Sequence, residues 1–166
     1  MKNLLFALVF ITTVATSIFA FDPPASPKMI AEGKDMKITY GQPSKRGRDV
    51  FGALVPYGKV WRTGANEATE ITFTKDVIFA GKDLKAGTYV LFTIPEKDNW
   101  TVILNSKTGQ WGAYDYDKVK DKDVLKVQVP VVALKESSEK LMMAFDAKGL
   151  NIYWDMTSIV VPISTK

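Results

Sequence analysis

Residues Ile71–Leu104 read ITFTKDVIFAGKDLKAGTYVLFTIPEKDNWTVIL. Ile71 and Phe73, then Val77 and Phe79, alternate with polar neighbours, and Trp100, Val102 and Leu104 alternate with Thr101 and Ile103. A period of two turns every second side chain to one face of an extended chain, which is the mark of a half-buried strand. Thr88–Ile94 is apolar at most positions, and Lys85-Ala-Gly87 and the five residues Pro95–Asn99 break the pattern into short strands. The same reading extends outward. Leu125, Val127 and Val129 make a further strand, and Pro130 places its end at a sheet edge because proline cannot donate to a ladder. Leu141, Met143 and Phe145 pair across the type I turn Asp146-Ala-Lys-Gly149 with Leu150, Ile152 and Trp154, and Ile159–Ile163 follows. Met36, Ile38 and Tyr40 give the first strand. No stretch shows a sustained 3.6-residue period, so the fold class is all-β: an antiparallel β-sandwich of about eight or nine short strands with little helix. The one helical turn expected lies within Arg48–Leu54, bracketed by Gly47 and Gly52.

Upstream of these strands the chain changes character. Lys2 precedes the apolar run Leu4–Ile11, and Thr12–Ala20 is small and mildly polar before Phe21-Asp22-Pro23-Pro24. This layout predicts a cleavable signal peptide over residues 1–20, with Ala15 or Ser17 as alternative cleavage points, and a single β-sandwich domain over 21–166. The expected product is exported, periplasmic or secreted, with no membrane span after cleavage. Its net charge falls from +4 to +3 on losing Lys2, too mild for a nucleic-acid partner. The chain has no Cys and no His. Disulfides, serine triads, cysteine nucleophiles and His-ligated metals are therefore excluded, leaving carboxylate pairs, perturbed Lys or Tyr, Arg-based anion binding and hard oxygen-ligated cations. Asp115, Asp117, Asp121 and Asp123 cluster, but three lysines interleave and the glycine at the sixth position and acid at the twelfth of a calcium loop are missing, so a solvated turn is expected and no metal or cofactor is assigned.

Between Tyr40 and Ile71 lies Gly47–Thr69, GRDVFGALVPYGKVWRTGANEAT, which has little hydrophobic period yet is rich in glycine, aromatics and charge. A connection longer than about 12–15 residues is usually functional or disordered, and this one is too apolar for disorder. Its candidate ligand-binding residues are Arg48, Tyr57, Trp61, Arg62, Asn66 and Glu67. Trp61 either plugs the open end of the sandwich or stacks on a ligand. The Pro56 and Gly58 flanks of Tyr57 favour a surface turn. Arg48 and Arg62 either pair internally with Glu67, Glu70 or Asp76, or capture an anionic group in bidentate fashion. Asn66 suits a left-handed turn position.

The series Ser26-Pro27, Gly41-Gln-Pro43, Gly47-Arg48, Trp61-Arg-Thr-Gly-Ala-Asn66, Ala86-Gly-Thr-Tyr89 and Trp100-Thr101 resembles the bacterial domain of unknown function family 2911 over residues 24–134. The resemblance implies an exported bacterial protein and brings no activity, cofactor or catalytic residue with it. Gln42 stands where that family's pattern is expected to carry Arg. Three function classes remain open. The first is a non-catalytic envelope module for a small polar, anionic or sugar ligand, for instance from the cell wall. The second is a structural or partner-binding sandwich. The third is a carboxylate-dependent hydrolase using Glu67 with Glu70 or Asp155.

Overall fold

The computed structural model describes residues 26–165, and the leader expected over residues 1–20 lies outside them. Nine strands occur there: β1 Lys28–Gly33, β2 Met36–Gly41, β3 Glu70–Phe73, β4 Val77–Phe79, β5 Lys82–Leu84, β6 Gly87–Pro95, β7 Asn99–Asn105, β8 Asp123–Asp146 and β9 Gly149–Thr165. Among the described residues helix is limited to α1, Tyr116–Val119, continued by a 3-10 turn at Lys120–Lys122. The strands follow the order β1-β2-β3-β6-β7-β8-β9-β4-β5, and every pairing is antiparallel.

This single sheet doubles over on itself through β8. Asp123–Pro130 pairs with β7, whereas Val131–Asp146 pairs with β9. Asn99 opposite Pro130 is the last rung on β7, so the residue without an N–H stands where the strand leaves one layer for the other. The register slips between Ala133 and Met142, and such irregularities bend a strand and raise its twist. Alternation then fills the space between the layers. Ile38, Ile71, Leu91, Val102 and Leu104 from the first layer share one buried cluster with Leu141, Ile152, Trp154, Ile159 and Val161 from the second. In β9 the buried positions change parity, from Leu150, Ile152 and Trp154 to Ile159 and Val161. Asp155, at φ 53°, supplies the offset; a left-handed residue in a strand makes such a bulge, and Asp tolerates it better than a β-branched residue.

The outer face of the first layer is also covered. Val90, Phe92 and Ile103 form a second buried cluster with Ala68 and Tyr116. Tyr116 donates its hydroxyl to Asp123 at 2.6 Å, and burial together with that carboxylate pushes the phenol well above its usual range. That anchor explains the position of α1. The helical turn expected at Arg48–Leu54 is absent: Leu54 and Val55 donate their N–H groups to Asp49 and Val50 instead, and Gly52 takes φ +92°. These are wider closures than a helix makes, and they aim Phe51 at Trp61, Trp100 and Trp154. β1 was likewise not expected from its sequence, KMIAEG, because Lys, Ala, Glu and Gly have poor strand propensity and only pairing with β2 extends them.

Loop 42–55 is fastened to the second layer by a charged clasp. Lys45 Nζ lies 2.5 Å from Asp155 Oδ1, and Ser137 donates its hydroxyl to the same oxygen at 2.8 Å. Both charged side chains are about four-fifths buried. Burial alone would raise the Asp155 carboxyl, but the Lys45 ammonium and the Ser137 hydroxyl hold it below its ordinary value of 3.8. A depressed carboxyl stabilises the folded chain fully above 3.8, and this contribution is lost as pH falls below that value. Asp155→Asn keeps a residue that tolerates positive φ and removes the charge. It is expected to cost about 1–3 kcal/mol at pH 7, with the gap to the parent closing in urea titrations toward pH 3. An equal gap at both pH values would show that the clasp does not act through charge.

Among the described residues no helix is long and apolar enough to cross a membrane.

Candidate functional site

A concave site forms where the turn Arg62–Thr69 is pressed between β2 and the loop after β7. The turn is locked from inside. Trp61 exchanges backbone hydrogen bonds with Thr93 at 2.7 and 2.9 Å, its indole N–H donates to the Gly64 carbonyl, and Thr69 donates its hydroxyl to the Thr63 carbonyl. Thr63 and Asn66 both adopt positive φ, at 55° and 62°. The turn reaches β2 through Ala65 N–H, which donates to the Gly41 carbonyl at 3.1 Å. A Cβ at position 41 would come within 2.0 Å of the Ala65 carbonyl oxygen, so only glycine permits this approach.

The loop after β7 closes the other wall. Asn105, wholly buried, donates to Val119 and Asp123 and accepts from Lys107 N–H, which ties down the loop's base. Ala68 N–H then donates to the Gln110 carbonyl, Gly112 N–H to the Asn66 carbonyl, and Gly109 N–H to the Glu70 carboxylate at 2.8 Å. Glu67 and Trp111 pair as an isolated antiparallel bridge. The result is a cleft of about 240 Å³ lined by Lys28, Thr39, Tyr40, Gly41, Glu67, Ala68, Glu70, Gly109, Gln110 and Trp111. Lys28 stands 3.9 Å from Glu67, with both side chains more than half exposed, an arrangement that contributes little to stability. Gln110 donates its side-chain N–H to the Lys107 carbonyl at 2.6 Å, which fixes the amide's orientation and leaves its buried Oε1 without a hydrogen-bond partner. Trp111 is 64 % exposed, whereas Trp61, Trp100 and Trp154 are buried. A large indole left in solvent on the wall of a cleft is an uncommon feature of a protein surface.

The six residues singled out from sequence go to different places. Glu67 lines the cleft. Asn66 is not among the residues that line it and donates its amide to the Ser26 carbonyl. Trp61 is in the core, stacked on Trp154 at 6.1 Å and edge-on to Trp100 at 6.0 Å. The Tyr57 ring lies over Gly52, where a Cβ would meet it at 2.7 Å. Arg48 is exposed and donates to the Lys45 and Ser44 carbonyls of its own loop. Among the described residues Arg62 makes no ion pair, and its buried Nε has no hydrogen-bond partner. Internal pairing of the arginines with Glu67, Glu70 or Asp76 is not what the chain adopts: Glu67 faces Lys28, Glu70 takes Gly109, and Asp76 takes Lys85 and the Ala86 N–H. Asp155 belongs to the Lys45 clasp, so of the two carboxylate pairs considered only Glu67 and Glu70 share a cleft.

Trp111, Gln110 and Lys28 escaped the sequence reading. The signal was present in Gly109-Gln-Trp-Gly112, an aromatic framed by two glycines in a stretch without hydrophobic period, the same composition that drew attention to Gly47–Thr69.

The acids between Asp115 and Asp123 are occupied by local partners: Asp115 by Lys118, Asp117 by Lys120, Asp121 by Lys122, and Asp123 by Tyr116 and Asn105. No curated protein and no solved structure matches the chain. A family model described as protein of unknown function (DUF2911) matches residues 22–163, and the chain belongs to that family.

Proposed function

We propose that this chain is an exported, non-catalytic module that holds a small polar ligand, a neutral sugar, in the cleft between Glu67, Glu70 and Trp111. The observation that carries the reading is the 64 % exposed indole of Trp111 on the wall of a concave site that also carries Glu67, Glu70, Lys28 and Gln110. A sugar ring offers hydroxyls at its edge and C–H groups on its faces. Carboxylates and amides accept from the former, and an aromatic ring covers the latter. The cleft carries two carboxylates and one ammonium, a balance that repels phosphates and nucleic acid. Export rests on the leader-like residues 1–20, with their Lys2 and apolar run.

Because the other three tryptophans are buried, Trp111 dominates quenching by acrylamide, and a bound sugar is expected to shield it. Trp111→Ala is expected to weaken sugar binding by about 10-fold or more, as for the aromatic anchor of an interface. Its unfolding free energy should change by no more than about 0.5 kcal/mol, the usual range for an exposed position. Calorimetric titration with a panel of neutral sugars checks the affinity and urea unfolding checks the stability, and sugar binding undiminished in Trp111→Ala would remove the site.

A second reading, glycan hydrolysis, draws on Glu67 and Glu70 lining the same cleft. Release of reducing ends from a glycan by the parent and its loss in Glu67→Gln would establish that alternative.

A further inference from the structure

Trp111 does not belong to one cleft only. A second cleft of about 350 Å³ is lined by Lys107, Thr108, Gly109, Gln110, Trp111, Asp115, Lys118 and Val119. The two share Gly109, Gln110 and Trp111, so they adjoin along that segment and the exposed indole is common to both. Resting on the sugar-binding reading above, we propose that the two clefts are consecutive subsites of one groove. Its ligand is then an oligosaccharide of at least two residues, with a neutral unit beside Glu67 and Glu70 and a carboxylate-bearing unit beside Lys107.

Size argues first. The cleft at Glu67 holds about 240 Å³, below the roughly 300–1,000 Å³ typical of sites that enclose a ligand alone. The second, at about 350 Å³, reaches only the lower edge of that range, so a ligand that spans both is better enclosed than one held by the first alone.

Charge argues for direction. On the Glu67 side two carboxylates outnumber the single ammonium of Lys28. On the far side Lys107 and Lys118 outnumber Asp115. Lys118 spends its ammonium on Asp115 at 2.7 Å, which leaves the Lys107 ammonium as the cation there without a carboxylate partner among the described residues. A neutral chain would use only half of this polarity. A chain with an acidic sugar at one end satisfies both halves and is oriented by them.

The shared wall is also held firmly enough to order a ligand on both sides. Gly109 is fixed by Glu70, Gln110 by Lys107 and Ala68, and Gly112 by Asn66. Groups pinned before binding lose little freedom on binding.

The test is calorimetric titration of the chain with a hexose, its β-linked disaccharide and trisaccharide, and a disaccharide containing one uronic acid. The disaccharide is expected to bind at least about 10-fold tighter than the hexose. The uronate disaccharide should bind tighter still, with an advantage that shrinks as salt rises. Lys107→Ala, a change at an exposed side chain, should erase the uronate advantage while the hexose affinity stays within about 2-fold. Equal affinity for hexose and longer chains, all of it lost in Trp111→Ala, would overturn the two-subsite groove and leave the sugar site standing. An undiminished uronate preference in Lys107→Ala would overturn the assigned polarity. No binding of any sugar by the parent chain would sink both readings together.

Discussion

Trp61→Ala is expected to destabilise the protein by about 3–5 kcal/mol, the range for deleting a large aromatic from a packed core. The indole is nine-tenths buried at the meeting point of Phe51, Trp100 and Trp154, each 6.0–6.1 Å from it by ring centroid. These partners come from loop 42–55, β7 and β9, so the ring joins the connecting block to both layers of the sandwich. Truncation leaves a void edged by three rigid aromatics that cannot easily collapse, which places the cost toward the upper end. It also removes the donor to the Gly64 carbonyl, loosening the turn that forms the back of the cleft. Urea unfolding followed by far-ultraviolet circular dichroism measures the loss. Trp61→Phe keeps one aromatic ring but deletes the N–H together with the volume of the five-membered ring, and should cost less than the alanine variant, about 1–3 kcal/mol. A loss below about 1 kcal/mol in the alanine variant would mean that the ring is not a core element. Trp61 and Trp111 thus make opposed expectations from one residue type: the first governs stability, the second governs binding.

Gly41→Ala is the second large effect. Most glycine-to-alanine changes can be absorbed by moving the tip of a flexible side chain, but here the new methyl group would sit 2.0 Å from the Ala65 carbonyl oxygen and 2.8 Å from its carbon, both main-chain atoms. Relief requires the turn Arg62–Thr69 to lift off β2, breaking the Ala65-to-Gly41 hydrogen bond and straining Gly64, whose own Cβ position lies 2.9 Å from the Gly41 oxygen. Overpacking of this kind costs about 1–3 kcal/mol when side chains can adjust, and about 3 kcal/mol or more is expected where backbone must. Gly41 and Glu67 line the same cleft, so the variant should lose ligand affinity even under conditions where it remains folded. Denaturant titration and sugar titration of the same preparation would show both losses. A variant with parental stability and parental affinity would contradict the close approach.

The strands of Ile71–Leu104 were legible because alternation acts over neighbouring residues and each face there has one environment. β6 is buried on both faces, and its near-continuous apolar run says so. The hairpin at Asp146–Gly149 was legible for a similar reason: Asp146 accepts from the Lys148 and Gly149 N–H groups within the turn itself. What local pattern could not reveal is that Leu125–Val129 and Leu141–Phe145 belong to one 24-residue strand. Between them lies VVALKESSEK, a mostly exposed stretch whose latter part, KESSEK, is polar and has little strand preference of its own, and which pairs only sparsely with β9. Nor could it reveal that Trp61 faces Trp154, since 93 positions of chain separate two residues that look alike in sequence to an exposed tryptophan such as Trp111.

The amino-acid sequence by itself determined the all-β class, the alternating faces and the chemistries forbidden by the absence of Cys and His, because each depends on residue type or near-neighbour spacing alone. Tertiary structure decided which polar residues share a wall. Glu67 meets Trp111, and Gly109 meets Glu70, only once β2, the Arg62–Thr69 turn and the loop after β7 have docked. Cleft membership is a property of how distant segments pack, and the free energy that selects it comes from the buried aromatic and aliphatic core beneath, not from the cleft residues themselves.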